Sequence, residues 1–187
     1  MLLENASTQL GLALHDGLVV VGMDPSSYRN CGWAVISYSA GAATLLEKFT
    51  QVFEGDEKNV ARYRAVYDKL AEVVKKHGAE VLCLERSMGG GLAFVRNNLS
   101  ETVGVAKLCC HDNGVKIYET SPGHLKKIIA GHGSAKKKWI KANIVATFNL
   151  GKSGAEHECD AAACALSLLV DLGWNGYVVK VPYAPAP

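Results

Sequence analysis

The stretch Val81-Leu82-Cys83-Leu84 is a short, unbroken apolar run that ends on a carboxylate, Glu85. A run of this length without polar alternation is what a central strand looks like when both of its faces are buried. A chain containing such a strand must cover the sheet with helices above and below. The flanks agree, because His77-Gly78 closes a preceding helix with an expected left-handed cap and Met88-Gly89-Gly90-Gly91 forms a Gly-rich turn after it.

The remaining segments fall into place around that strand. Residues 19–23, 32–38 and 43–52 are short β-branched or aromatic stretches separated by Gly, Asn and Ser, which predicts a three-stranded antiparallel meander. In 57–77, Val60, Tyr63, Tyr67, Leu70 and Val74 recur at three and four residues, so one helical face packs on the sheet. A helix over about 92–112 and a strand over 115–119 follow. Ser121-Pro122 reads as a cap with proline at the first helical position, starting a short helix to Ile129. Gly131-His132-Gly133 breaks it, and Ser134 is expected to cap a helix carrying Ile140, Ile144, Val145 and Phe148. Gly151 to Gly154 connect to a last helix from His157 to about Leu172, and 182–187 reads as a frayed tail.

This order predicts an α/β protein of ribonuclease H-like architecture, a mixed five-stranded sheet with its first three strands antiparallel and helices on both faces. At 187 residues there is room for one core. The division expected is an N-terminal extension over 1–17, one domain over 18–172 and a C-terminal tail over 173–187. Fold alone leaves function open, since the class holds nucleases, kinases and inert relatives.

Charge narrows the choice of partner. The net charge of +2 hides an asymmetry: Lys126, Lys127, Lys136, Lys137, Lys138, Lys141 and Lys152 fall in a stretch without Asp or Glu. Such a stretch suits a polyanion, or is simply a solvated helix face. The six cysteines form no CxxC pair and several sit in apolar runs, as buried reduced thiols of a cytoplasmic protein do. Cys109-Cys110-His111 lacks a second ligand pair at zinc-finger spacing and reads as core. No apolar run approaches the roughly 18 residues of a membrane span, and the first 16 residues lack a basic leader. The turn at 89–91 matches neither a P-loop nor a dinucleotide fingerprint.

Chemistry concentrates at element ends. Asp24 ends the run from Leu18, Glu85 ends the central strand, and His157 and Asp160 lie three apart at the start of the last helix. With the first and fourth strands adjacent, Asp24 and Glu85 emerge side by side, and two close carboxylates either share a proton or bind a hard divalent cation. Residues three apart share a helix face, so the last helix closes the site from the side. Such a set suits two magnesium ions roughly 4 Å apart and in-line phosphodiester hydrolysis. Singly, Asp24 before Pro25-Ser26-Ser27 reads as a turn residue, and His157 and Asp160 read as caps. Their joint occurrence in this strand order favours the metal site.

The motifs Val21-Gly22-Met23-Asp24-Pro25-Ser26-Ser27 with Gly32-Trp33-Ala34-Val35-Ile36, then Leu84-Glu85, Gly131-His132-Gly133-Ser134-Ala135-Lys136-Lys137 and His157-Glu158-Cys159-Asp160-Ala161 resemble the RuvC-type Holliday junction resolvases over about residues 18–172. The resemblance implies a homodimer that nicks a four-way DNA junction symmetrically with Mg2+, for which Mn2+ substitutes. It implies metal ligands Asp24, Glu85, His157 and Asp160, with Lys126 and Lys137 in DNA contact and Lys137 in catalysis. Lys127, Lys136 and Lys138 join the expected DNA surface, as do Tyr28 and Arg29 after the first ligand. Branch-migration or replication proteins are the implied partners. Many family members carry a Phe that stacks on a junction base after the second carboxylate; here Met88 stands there, with Phe94 as a substitute or a core residue. That departure and the extension over 1–17 lean toward a phage variant.

Three other readings compete. An actin-like sugar or acetate kinase needs two related lobes, more than one domain of this size supplies. A nuclease of the same fold acting on flap, fork or other branched DNA shares every motif above. A non-catalytic junction-binding module would carry a damaged metal site, and all four ligands are present.

Overall fold

The computed structural model describes residues 6–25, 29–53, 60–86, 93–150, 155–181, 183 and 184, with 93–96 as backbone only. A mixed five-stranded sheet runs in the order β3-β2-β1-β4-β5, built from β1 (Leu18–Asp24), β2 (Asn30–Ser39), β3 (Ala42–Val52), β4 (Val81–Glu85) and β5 (Lys116–Thr120). The pairs β1–β2 and β2–β3 are antiparallel, and β1–β4 and β4–β5 are parallel. The expected meander and central strand are both present.

The side-chain period of two divides β1 between two cores. Leu18, Val20, Ile36, Val81 and Cys83 face one side, where α4 (Pro122–Ala130), α5 (Lys137–Phe148) and α6 (Glu156–Asp171) pack. Val19, Val21, Met23, Trp33 and Leu82 face the other, covered by α2 (Val60–His77) and α3 (Ala93–Asp112). Val81 to Leu84 are fully buried, which is why that strand carries no alternation. A short helix, α1 (Ala6–Leu10), buries Ala6 in the first core, so the described part of the extension joins the domain.

Local chemistry explains most boundaries. The Ser121 hydroxyl accepts from the His124 amide at 3.3 Å, Pro122 occupies the first turn, and Gly131 closes α4 at φ 76. Ser134, expected to cap α5, does not. Its hydroxyl pairs with His132 Nδ1 at 2.8 Å, and α5 starts later, with Lys136 at the cap position and no side-chain cap. The cap position of α6 is Ala155, so neither His157 nor Asp160 serves as a cap. Glu156 and Glu158 in its first turn favour the positive end of the helix dipole.

All six cysteines are buried and unpaired, Cys109 and Cys110 among them, while the neighbouring His111 is exposed. No helix among the described residues is long and apolar enough to cross a membrane.

Candidate active site

Parallel pairing of β1 with β4 sets Met23 opposite Leu84, so the next residues, Asp24 and Glu85, end their strands side by side. The last helix reaches them because the sheet beneath it is floored with glycine. A Cβ at Gly22 would overlap the Ala161 carbonyl, and a Cβ at Gly32 would overlap the His157 backbone. Gly32 pairs with Asp24 across β1–β2, so the first turn of α6 lies directly over the first carboxylate. The run Ala161-Ala162-Ala163 is fully buried and adds no bulk to that approach.

His157 Nδ1 stands 2.9 Å from Asp24 Oδ2. One turn on, Asp160 Oδ2 accepts from Lys137 Nζ at 2.8 Å, and the same ammonium reaches Glu156 Oε1 at 3.1 Å. All of Asp24, Glu85, His157, Asp160, Lys126 and Lys137 line one cavity of about 770 Å³. Five separate elements, β1, β4, α4, α5 and α6, therefore contribute to one cavity.

The electrostatics show strain between the acids. Burial raises the Asp24 carboxyl above its ordinary pKa, and the charge of Asp160 adds to it against the opposing hydrogen bond from His157. Glu85 is also raised, first by lost hydration in the cavity wall, then by Asp160 and Asp24, while Lys126 and Lys137 pull the other way. Burial works to lower Lys137, yet the hydrogen bond and charge of Asp160 outweigh it and hold the ammonium well above its usual range.

A site that penalises its own carboxylates has a reason to take up positive charge. Oxygen donors with one imidazole are a donor set suited to a hard divalent cation. Among the described residues, however, no group of three His, Cys, Asp or Glu side chains is placed to hold a metal ion. Asp24 is turned toward His157 and Asp160 toward Lys137. The donors fit the ion in kind.

The other predicted residues fare unevenly. Lys127, Lys136 and Lys138 are exposed and lie outside the cavity lining, and Lys138 sits over the Trp139 ring at 5.2 Å. Arg29 is exposed and also outside it. Tyr28 and Met88 lie outside the described residues, as does the side chain of Phe94.

Sequence reasoning missed Arg86, Lys107 and Glu119 in the cavity wall, the last two joined at 2.9 Å. The signals were present. Arg86 follows the second carboxylate directly, and Ser100, Val103, Gly104 and Lys107 recur at helical spacing.

Similarity to known proteins accords with this arrangement. Residues 20–168 match the family model described as crossover junction endodeoxyribonuclease RuvC. The RuvC of Corynebacterium glutamicum is 29% identical over 162 residues, covering 86% of this chain and 72% of that relative. That of Parvibaculum lavamentivorans is 26% identical over 149 residues, covering 80% and 85%. Among solved structures, Thermus thermophilus RuvC in complex with Holliday junction substrate superposes with a TM-score of 0.75 at 23% identity, over 84% of this chain and 97% of that one. The family match spans the sheet, both carboxylate-bearing strand ends and the first turns of α6, and on that extent the chain belongs to the RuvC family of crossover junction endodeoxyribonucleases.

Proposed function

We propose that this chain resolves Holliday junctions at the cavity below α6, as a homodimer that nicks two strands symmetrically. The observation that carries the reading is the convergence of Asp24, Glu85, His157 and Asp160 from three separated segments on one cavity that also holds Lys126 and Lys137. Asp24, Glu85, Asp160 and His157 would hold two Mg2+ ions, with Mn2+ as a substitute. When bound, the ions supply an activated water and stabilise the leaving oxygen of a phosphodiester.

The chain's own residues prepare that chemistry. Lost hydration and the neighbouring acidic charges raise the Asp24 and Glu85 carboxyls above their ordinary values, so a bound cation would relieve their repulsion. Lys137 pairs with Asp160 and, were that carboxylate taken up by a cation, would stand as a positively charged partner for the phosphate that undergoes attack. Lys126 adds a second positive charge to the same wall. Lys127, Lys136 and Lys138 extend the basic surface along α4 and α5 for the junction arms. A symmetric pair of nicks needs two such cavities in one particle, which is the reason for the homodimer, and branch-migration or replication proteins would present the junction to it.

The decisive experiment incubates purified protein and Mg2+ with labelled four-way junction, fork, flap and linear duplex, alongside Asp24→Asn. Paired symmetric nicks in the junction are expected, with binding kept and cleavage abolished in the variant. Equal cutting of linear duplex, or cleavage that survives the substitution, would sink the reading. Only monomer in a solution mass measurement at micromolar concentration would sink the paired mechanism.

A further inference from the structure

The C-terminal segment after α6 lies beyond the region that matches the family, yet it is attached at four points. Trp174 Nε1 donates to the Gly41 carbonyl at 2.9 Å, anchoring the segment to the β2–β3 turn. The Tyr177 hydroxyl donates to the Ile129 carbonyl at 2.7 Å, satisfying an acceptor in the last turn of α4. Asn143, fully buried on α5, grips the backbone: its Oδ1 accepts from the Lys180 and Val181 amides at 2.8 and 2.9 Å, and its Nδ2 donates to the Val181 carbonyl at 2.8 Å. Tyr183 stacks on His132 with centroids 4.9 Å apart and meets the edge of Trp139.

Three of these four attachments fall on one hairpin, α4 with α5 and the turn between them. That hairpin carries Lys126 on α4 and Lys137 at the start of α5, both in the cavity wall. Its turn holds Gly131 and Gly133, and residues 131–134 are exposed, with Ala135 the buried residue of the turn. A buried asparagine whose acceptor is spent on another segment's backbone, and whose donor is shared between that segment and the Trp139 carbonyl of its own helix, is a costly contact to keep for the tail alone.

We propose that residues 174–181 together with Tyr183 form a positioning strap that fixes the α4–α5 hairpin, with Asn143, Tyr177 and Tyr183 as positioning residues for the DNA-contacting lysines. The inference rests on the reading of Lys126 and Lys137 as DNA contacts. The strap touches none of the reacting groups; it acts by placing the hairpin before DNA arrives. If release of the strap leaves the hairpin correctly placed about a tenth of the time, junction affinity falls about tenfold, because apparent affinity scales with the competent fraction.

The test compares the wild-type protein with Tyr177→Phe, Tyr183→Ala and Asn143→Ser, reading hydrogen exchange across residues 122–141, junction Kd, and single-turnover cleavage at saturating enzyme. Expected are faster exchange in the hairpin, a Kd weakened about tenfold in the double variant Tyr177→Phe/Tyr183→Ala, and an unchanged cleavage rate once DNA is bound. Asn143→Ser, which alters a buried site, is read only beside the two milder changes. Unchanged exchange overturns the inference, and so does faster exchange with unchanged Kd. A fall in the saturated cleavage rate equal to the fall in affinity overturns it too, since that marks general damage. Wild-type protein that binds no junction overturns the functional reading and the inference together; wild type that binds while the variants bind equally well overturns the inference alone.

Discussion

The two faces of the sheet bury the same strands by different means. On the α2–α3 side, large side chains fill the gap: Trp33 stacks on Phe49 at 6.1 Å, and Met23, Leu70 and Leu84 are fully buried around them. On the α6 side the gap is nearly absent, because Gly22 and Gly32 meet a helix of Ala161, Ala162, Ala163 and Ala165. A thick core holds the sheet but keeps polar groups away from it. A thin one lowers a helix onto the sheet, and only there can His157 reach a carboxylate at a strand end. Adjacent residues of β3 repeat the division. Glu47 turns to Lys76 and His77 of α2, while Lys48 turns to Glu158 of α6 at 2.5 Å.

The sharpest way to break the comparison is to thicken the thin side. Gly32→Ala places a methyl inside the His157 backbone, so the first turn of α6 must lift. Overpacking costs about 1–3 kcal/mol. A displacement near 1 Å at a catalytic group costs about a hundredfold in rate. Leu70→Ala on the thick side should show the reverse, losing about 2–5 kcal/mol of stability to a cavity. Its folded fraction should cleave at the wild-type rate. Melting curves set beside single-turnover cleavage check both, and a Leu70→Ala protein that loses cleavage while folded would erase the distinction.

That distinction was only partly legible in the sequence. The apolar run at 81–84, the meander before it and the capping signals at Ser121, Pro122 and Gly131 each act through neighbours within a few residues, and they appear as expected. The carboxylates were legible because a strand end is a local feature and the strand order placed two ends together. The roles of Gly22 and Gly32 were not, since glycine in a strand says only that something approaches closely, and the approaching helix lies more than a hundred residues away. Ser134 misled for a related reason, because His132 competes for its hydroxyl. The pairing of Lys137 with Asp160 belongs to tertiary contact alone, and no spacing rule announces it.

A smaller effect should separate Lys48 from Glu47. Lys48→Met strands a carboxylate that is only 13% exposed. The cost lies between the surface and buried limits, about 2 kcal/mol. Because Glu158 sits next to His157, cleavage should fall with it, by about tenfold if the first turn shifts by a fraction of an ångström. Glu47→Gln should cost only about 0.5 kcal/mol, the scale of a surface pair, and leave cleavage alone. Its pH dependence has a definite sign. Hydrogen bonds from Lys76 and then His77 hold the Glu47 carboxyl below its ordinary value of 4.5. A depressed carboxylate contributes stability above the unfolded value and loses it as pH falls through the folded one. The difference between wild type and Glu47→Gln should therefore be constant at neutral pH, shrink below 4.5 and vanish once the folded carboxyl is protonated. A difference that grows on acidification would contradict the assignment.

The smallest effect tests whether the division between faces extends into the cavity walls. Lys126 arrives from α4, and among the described residues it makes no ion pair; Lys107 arrives from α3 already joined to Glu119 at 2.9 Å. A lysine that neutralises a phosphate releases a counterion, so its loss reduces the slope of log K against log salt by about 0.9. A lysine whose charge is already balanced by a carboxylate has less to give. Lys126→Ala should therefore flatten the salt dependence of junction binding by close to one phosphate, about a threefold change in relative affinity between 50 and 200 mM salt. Lys107→Ala should flatten it by clearly less, because Glu119, once unpaired, also repels the backbone that approaches. Titrations of the two variants against one labelled junction across that salt range decide the matter: equal slopes would mean that both walls meet DNA alike, and that the asymmetry of the sheet stops at the catalytic floor.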